Sequence, residues 1–271
     1  DPYSALAWYN LGIVYNKLLQ FDKAVDAFDY ASIIYSDFGS AFYNKGLSFL
    51  FLGDYRQALD SFKKTLDIEG PSAEVYCQIG NCYNELEEYS LALKYYQKAA
   101  KLDIFYDEAW FGAGISLIKQ DKWYEAIHFL GKALKLDDKN ATYWQSMAKA
   151  EFHVGNITSS IDAYKAAGEL NPKEESIWLD WSLIYYEQGH FDKAIEVLDH
   201  GLEELPENAR YYYRMTAYLI SSGKYKEAFN YLENALALDF EKHEDLLEFF
   251  PNLETQKALI KIIDRYRKDQ A

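Results

Sequence analysis

The sequence predicts an all-α solenoid, a row of antiparallel helix pairs stacked side by side rather than folded into a closed globule. Three observations carry that expectation. A 34-residue pattern recurs seven times from Ala5 to Lys242 with no insertion or deletion, and a strict period of this length is the mark of stacked identical units. Each copy holds two apolar runs at helical spacing, as in Trp8, Leu11 and Tyr15 followed by Phe21, Ala24 and Phe28. Four columns persist through all seven copies. The fourth position is aromatic (Trp8, Phe42, Tyr76, Trp110, Trp144, Trp178, Tyr212), and the eighth is small (Gly12, Gly46, Gly80, Gly114, Ala148, Ser182, Thr216). The twentieth and twenty-seventh positions are almost always alanine, from Ala24 and Ala31 to Ala228 and Ala235.

The elements follow in register. Residues 1–4, Asp-Pro-Tyr-Ser, read as the end of a truncated upstream copy, closing it as Asn171-Pro172 closes the fifth. Copies one to seven then occupy 5–38, 39–72, 73–106, 107–140, 141–174, 175–208 and 209–242. Within each copy a polar or glycine-bearing turn separates two helices, such as Leu19-Gln20, Gly53-Asp54, Gly155-Asn156 and Gly189-His190. Small residues are expected where two helix backbones approach, with a ring filling the gap beside them. The fifth copy departs most. Glu151 stands in a column otherwise held by Tyr15, Phe49, Tyr83, Leu117, Tyr185 and Leu219, and Ser160 replaces an alanine. A carboxylate there costs stability unless it is paired, so this copy is expected to be a weak joint or to supply a partner such as Lys or Tyr. Residues 243–271 read as a C-terminal cap. An eighth copy starts with Leu246, Phe249-Phe250-Pro251 breaks it, and a last helix is expected from about Asn252. Leu259, Ile262, Ile263 and Tyr266 would form its apolar face, as the end of a solenoid requires.

No copy can stand alone. Ordering 34 residues costs on the order of 50 kcal/mol at about 1.5 kcal/mol per residue, and a lone hairpin leaves both outer faces wet. Stacking buries them, which makes one continuous solenoid the expected domain organisation.

These columns resemble the tetratricopeptide repeat (TPR) family, with its aromatic, Leu-Gly, Tyr, Ala, Phe, Ala series. The resemblance spans all seven copies and implies a right-handed superhelix of helix pairs that binds other proteins. It further implies that the second, fifth, sixth, ninth, twelfth and thirteenth positions of each first helix line a concave groove.

Composition narrows the partners. Forty-three acidic residues against 28 Lys and Arg give a net charge of -15, which argues against nucleic acid and anionic membranes. No apolar run reaches the roughly 20 residues of a membrane span, and no signal peptide opens the chain. Cys77 and Cys82 lie five apart on one predicted helix and point about 140° apart, so a disulfide is not expected between them. Asn140-Ala141-Thr142 and Asn156-Ile157-Thr158 match the glycosylation sequon but lack a secretory context.

Catalytic patterns are absent. His128, His153, His190, His200 and His243 fall at unrelated repeat positions, without metal-ligand spacing. Gly112-Ala113-Gly114 lacks the third glycine and the preceding strand of a phosphate loop. No enzyme activity, cofactor or metal is expected.

Carried onto the groove positions, the family pattern puts Tyr9, Tyr43, Phe111 and Tyr213 in the fifth column. The ninth holds Ile13, Leu47, Ile115 and Leu183, and the twelfth holds Phe152 and Tyr186. An apolar patch of that extent marks a binding surface. Asn10 and Asn44 match half of the carboxylate clamp of chaperone-binding members, but Glu74 and Gln78 stand where its cations belong. Arg210 and Arg214 are expected on the groove face, able to take an acidic ligand or to pair internally with Asp180. The reading is a bacterial, cytoplasmic, non-enzymatic scaffold that binds a peptide or helix of a partner protein through Tyr9, Asn10, Ile13, Tyr43, Asn44, Leu47, Phe111, Ile115, Phe152, Leu183, Tyr186, Tyr213 and Arg214. Its alternatives are the recognition arm of a larger, sugar-transferase-like enzyme, and a self-associating array. Self-association is expected through the truncated N-terminal end, beside Trp8 and Leu11.

Overall fold

The computed structural model describes residues 3–251 and 256–269, all helix and turn with no strand among them. The chain divides into two compact units, 1–138 and 139–271, and each is an α-solenoid. The first holds four helix pairs: α1 (Ala5–Lys17) with α2 (Phe21–Ile34), α3 (Gly39–Leu52) with α4 (Tyr55–Glu69), α5 (Ala73–Glu85) with α6 (Tyr89–Leu102), and α7 (Asp107–Ile118) with α8 (Trp123–Leu136). The second holds α9 (Ala141–His153) with α10 (Ile157–Leu170), α11 (Glu175–Glu187) with α12 (Phe191–Glu204), and α13 (Ala209–Ser221) with α14 (Tyr225–Leu238). A 3-10 segment (Phe240–Glu248) and α15 (Lys257–Asp269) come last. Within each unit every helix packs on the next, and first helices also touch along one side, α1 with α3, α5 with α7 and α11 with α13.

The small column has a direct steric cause. A Cβ added at Gly12 would lie 2.6 Å from the Phe28 ring, at Gly46 2.7 Å from Phe62, and at Gly80 2.7 Å from Tyr96. In these three pairs the eighth position of the first helix thus faces a ring from its own second helix, and in the fourth pair a Cβ at Gly114 would lie 2.8 Å from Leu130. Ser182 and Thr216 hold this position in the sixth and seventh copies and are fully buried. The fully buried Ala24, Ala58, Ala92 and Ala126 belong to the same close approach.

The fourth-position aromatics are only half-buried in six copies, Trp178 being the buried exception. They stack along the outer edge on second-helix rings: Trp8 on Tyr30 at 4.7 Å, Tyr76 against Tyr95 at 5.9 Å and Trp110 against Phe129 at 5.8 Å. Lysines lie over two of these pairs, Lys98 4.5 Å from the Tyr95 centroid and Lys132 4.1 Å from that of Trp110. These rings close the outer rim rather than fill a sealed core.

Each helix pair turns through one left-handed residue, Gly53, Gly155, Gly189 and Gly223 in four copies but Leu19, Glu87 and Asp121 in the other three. In every case the next residue's N–H returns to the first helix, as Asp54 N to Phe49 O and Glu88 N to Tyr83 O do at 2.9 and 2.8 Å.

Two expectations resolve at the fifth copy and the cap. Glu151 finds its partner in Asn156, whose Nδ2 donates to Oε2 at 2.7 Å, rather than in a Lys or Tyr. Ser160, fully buried, donates to the Ala148 carbonyl at 2.7 Å. In the cap, Leu246 is fully buried, and Leu259, Ile262 and Ile263 of α15 are buried as their spacing required. The expected helix start at Asn252 lies outside the described residues.

Candidate functional site

In the first unit the inner columns are half-buried rather than open. Tyr9 packs against Phe38 at 4.9 Å and Phe28 at 5.7 Å, and Tyr43 against Phe62 at 5.6 Å. Each ring therefore leans on its own pair's core with one edge outward. Ile13, Leu47, Phe111 and Ile115 are likewise half-buried. Asn44 is held in place, its Nδ2 donating to the Ser40 carbonyl at 2.9 Å and to the Tyr9 hydroxyl at 3.2 Å. Asn10 is exposed. Cys77, in the same column as Tyr43 and Phe111, is 3% exposed. Burial first, then the Glu108 carboxylate, pushes its thiol up to about 12.

These columns meet at a concave pocket of about 380 Å³ on α5, α6 and α7. Phe111 and Ile115 supply its apolar wall, and Gln78, Asn81 and Asn84 its polar one. The Tyr96 hydroxyl lies at the floor, donating to Asn81 Oδ1 at 2.6 Å and accepting from Asn84 Nδ2 at 3.1 Å. Tyr96 reaches that place because neither Gly80 nor Gly112 has a Cβ to block its ring. Asn84 also accepts from Ser116 at 2.8 Å, and Asn16 repeats the arrangement with Ser48 at 2.9 Å. The amides Gln78, Asn81 and Asn84 sit in or beside the groove columns of the sequence but were not among its candidate residues. Their convergence depends on Tyr96, which comes from a second helix.

On the rim, Glu74 accepts the Tyr43 hydroxyl at 2.5 Å. Glu108 is hydrogen-bonded by Tyr106, whose own pKa is raised by burial and by that carboxylate.

The second unit holds a smaller pocket of about 190 Å³ where Phe152 and Leu183 meet Lys149, Tyr164 and Asp180. Lys149 Nζ lies 3.0 Å from the buried Asp180 Oδ2, within ion-pair range but not aligned for a hydrogen bond. Burial and then Asp180 raise the Tyr164 pKa.

At the seventh copy the structure corrects the sequence reading. Tyr213 and Arg214 do not line an open groove, being 1% and 8% exposed. The 3-10 segment and its flanks fold over them. Tyr213 donates to the Asp239 carbonyl at 2.8 Å, and Arg214 Nη2 pairs with Glu248 at 3.0 Å while its guanidinium lies 4.6 Å from the Phe249 centroid. Arg210 pairs with Glu175 at 2.8 Å and Asp245 at 3.0 Å, not with Asp180. Tyr186 stacks on Tyr218 at 4.7 Å and meets Phe249 edge-on at 5.1 Å. The signal was present in Asp245 and Glu248, which stand about one repeat beyond Arg210 and Arg214.

The family model of the cilia and flagella-associated protein 70 C-terminal domain, a TPR domain, matches residues 39–248. The chain belongs to this family. The match opens at the first residue of the second copy and closes at the last residue of the 3-10 segment, so that segment is part of the family's domain. No curated protein matches the chain. Among solved structures, the C-terminal part of a TPR repeat-containing protein from Cytophaga hutchinsonii is similar at TM-score 0.70 and 14% identity, over 89% of this chain and 98% of that one. YrrB, a TPR protein, is similar at TM-score 0.54 and 21% identity, over 65% of this chain and 91% of its own. The APC/C hetero-tetramer Cut9-Hcn1 is similar at TM-score 0.63 and 21% identity, over 84% of this chain and 43% of that chain. At these identities the likeness shows the fold. Among the described residues no helix is long and apolar enough to cross a membrane.

Proposed function

We propose that this chain is a non-enzymatic interaction scaffold that takes an extended peptide of a partner protein on the inner face of α3, α5 and α7. The observation that carries this reading is the pocket around Phe111 and Ile115, where apolar side chains meet the amides of Gln78 and Asn81. Apolar side chains supply affinity there, and amides suit a peptide backbone, which exposes one donor and one acceptor per residue. Two fold relatives are in keeping with it: YrrB has an unusual peptide-binding site, and Cut9 is assembled with Hcn1. Phe152 and Leu183 would form a separate contact in the second unit. The free, buried cysteines suit a reducing compartment, and we place the protein in the cytoplasm.

The test is peptide selection against the whole chain, followed by Tyr43→Ala and Phe111→Ala. Truncating apolar anchors at the centre of an interface costs roughly 2 kcal/mol each, about thirtyfold in affinity. Both variants should keep their helicity. Trp110→Ala, at the half-buried outer rim, should instead lower stability by about 2 kcal/mol and leave affinity unchanged. Normal binding by the folded double variant would place the partner on another face.

A second reading, self-association, rests on α1. Val14 is 50% exposed, whereas Ser48, Cys82 and Ser116 at the same repeat position are fully buried against the preceding pair. Val14 and Leu6 would be the contact. Sedimentation that finds a monomer at every concentration would end this reading.

A further inference from the structure

We propose that the pocket on α5, α6 and α7 selects a basic peptide, one whose Lys or Arg side chains lie along the Tyr43 and Phe111 rings and end at the carboxylates of Glu74 and Glu108. This rests on the peptide-binding reading above and adds the chemistry of the ligand.

Charge complementarity carries it. The second position of the repeat is acidic only in the third and fourth copies, as Glu74 and Glu108. Elsewhere it is Leu6, Ser40, Thr142, Ser176 and Arg210. Glu108 lines the pocket, and Glu74 stands one helical turn before its lining residues Cys77 and Gln78 on α5. The pocket's lining contains no Lys or Arg. Each carboxylate is held by a phenol hydroxyl, Glu74 by Tyr43 and Glu108 by Tyr106. A phenol orients a carboxylate without neutralising it. Compare the second unit, where Asp180 is answered within the chain by Lys149, and Glu175 and Glu248 by Arg210 and Arg214. The local field reads the same way: burial and both carboxylates together raise the pKa of Tyr43 and of Cys77.

The shape fits the same ligand. A Lys or Arg side chain lays an apolar stem on apolar surface and keeps its charge at the rim. Here the stem would meet Phe111, Ile115 and the outward edge of Tyr43, and the charge would meet an oriented carboxylate. The amides of Gln78 and Asn81 lie beside that path, within reach of the peptide backbone.

The experiment uses the whole chain and a short fluorescein-labelled peptide that alternates lysine with leucine, beside counterparts with glutamine or glutamate for lysine. The lysine peptide should bind about tenfold more tightly than the glutamine one, with an advantage that shrinks as salt rises. Glu74→Gln with Glu108→Gln keeps both phenol hydrogen bonds and should remove that advantage. Asp60→Asn with Glu125→Gln makes the same change in net charge on exposed second-helix positions and should leave it intact. Equal binding of the lysine and glutamine peptides, or equal loss with both variant pairs, overturns the basic-ligand proposal. The peptide-binding reading survives that result if Phe111→Ala still abolishes binding of the glutamine peptide. Absence of binding by all three peptides overturns both.

Discussion

Glu87 holds a backbone conformation that costs a side-chain-bearing residue roughly 1–2 kcal/mol. Its φ is +60°, at the turn where four other copies place glycine. Its side chain is exposed, so nothing in packing repays the strain. Glu87→Gly should stabilise the chain by about 1 kcal/mol, the relief of strain less the added freedom of the unfolded glycine. Chemical denaturation should show a higher midpoint at unchanged slope. A lower midpoint would mean that the turn is not strained. Cys77 and Cys82 behave oppositely to surface thiols, because burial pushes both up to about 12 from an ordinary value near 9. The folded state thus holds these protons more tightly than the unfolded chain does. That contribution to stability is complete below about pH 9 and is lost as pH rises toward 12. Labelling by a thiol reagent at pH 8 should therefore be slow and track the rate of opening, and denaturant should accelerate it. Rapid labelling of the native chain would contradict the burial of both sulfurs.

The helix pair is the smallest element in which these residues make sense. A ring from the second helix enters the space that a missing Cβ leaves on the first, as Phe62 does at Gly46. The pair α9–α10 breaks the pattern at two places and repairs both by hydrogen bonds, Glu151 with Asn156 and Ser160 with the Ala148 carbonyl. Such repairs satisfy polar groups without adding the apolar burial that other copies gain. Glu151→Leu restores the residue that Leu117 and Leu219 provide in this column. It should raise stability by about 1 kcal/mol, the value of partly burying a leucine. Hydrogen exchange should find α9 and α10 better protected in the variant. Unchanged or reduced protection would show that the Asn156 bond outweighs the burial.

For the whole molecule, stability is close to a sum over pairs and their neighbours, so the ends decide what stays folded. In the second unit the 3-10 segment packs on α13 and α14 and α15 on α14, with Tyr213 bonded to the Asp239 carbonyl and Tyr218 against Phe249. Arg214 lies beside the Tyr218 hydroxyl, and Glu248 and Phe249 meet it from the covering segment. Removing residues 240–271 would expose those side chains and leave Arg214 without its carboxylate. The truncated chain should lose several kcal/mol in its last pair, with α13 and α14 exchanging amide protons early while α1 to α8 stay unchanged. Equal protection of α13 in the two chains would show that the segment covers nothing that matters.

The sequence by itself determined the repeat. Period, helix pairing, the small column and the apolar face of α15 all come from spacing, because each depends on contacts within 34 residues or with an identical neighbour. The expectation that Tyr43, Leu47, Phe111 and Ile115 line a groove comes from the resemblance to the family, not from the spacing. Only the tertiary structure decided which of those positions stay accessible. Tyr9, Tyr43, Phe111 and Tyr213 hold one repeat position, yet Tyr43 keeps an outward edge and Tyr213 is sealed beneath Asp239. A periodic sequence assigns equal roles to equal positions. Burial depends on the neighbour that each copy meets in space: Tyr213 meets the Asp239 carbonyl, and Arg214 meets Glu248 and Phe249 beyond the seventh copy.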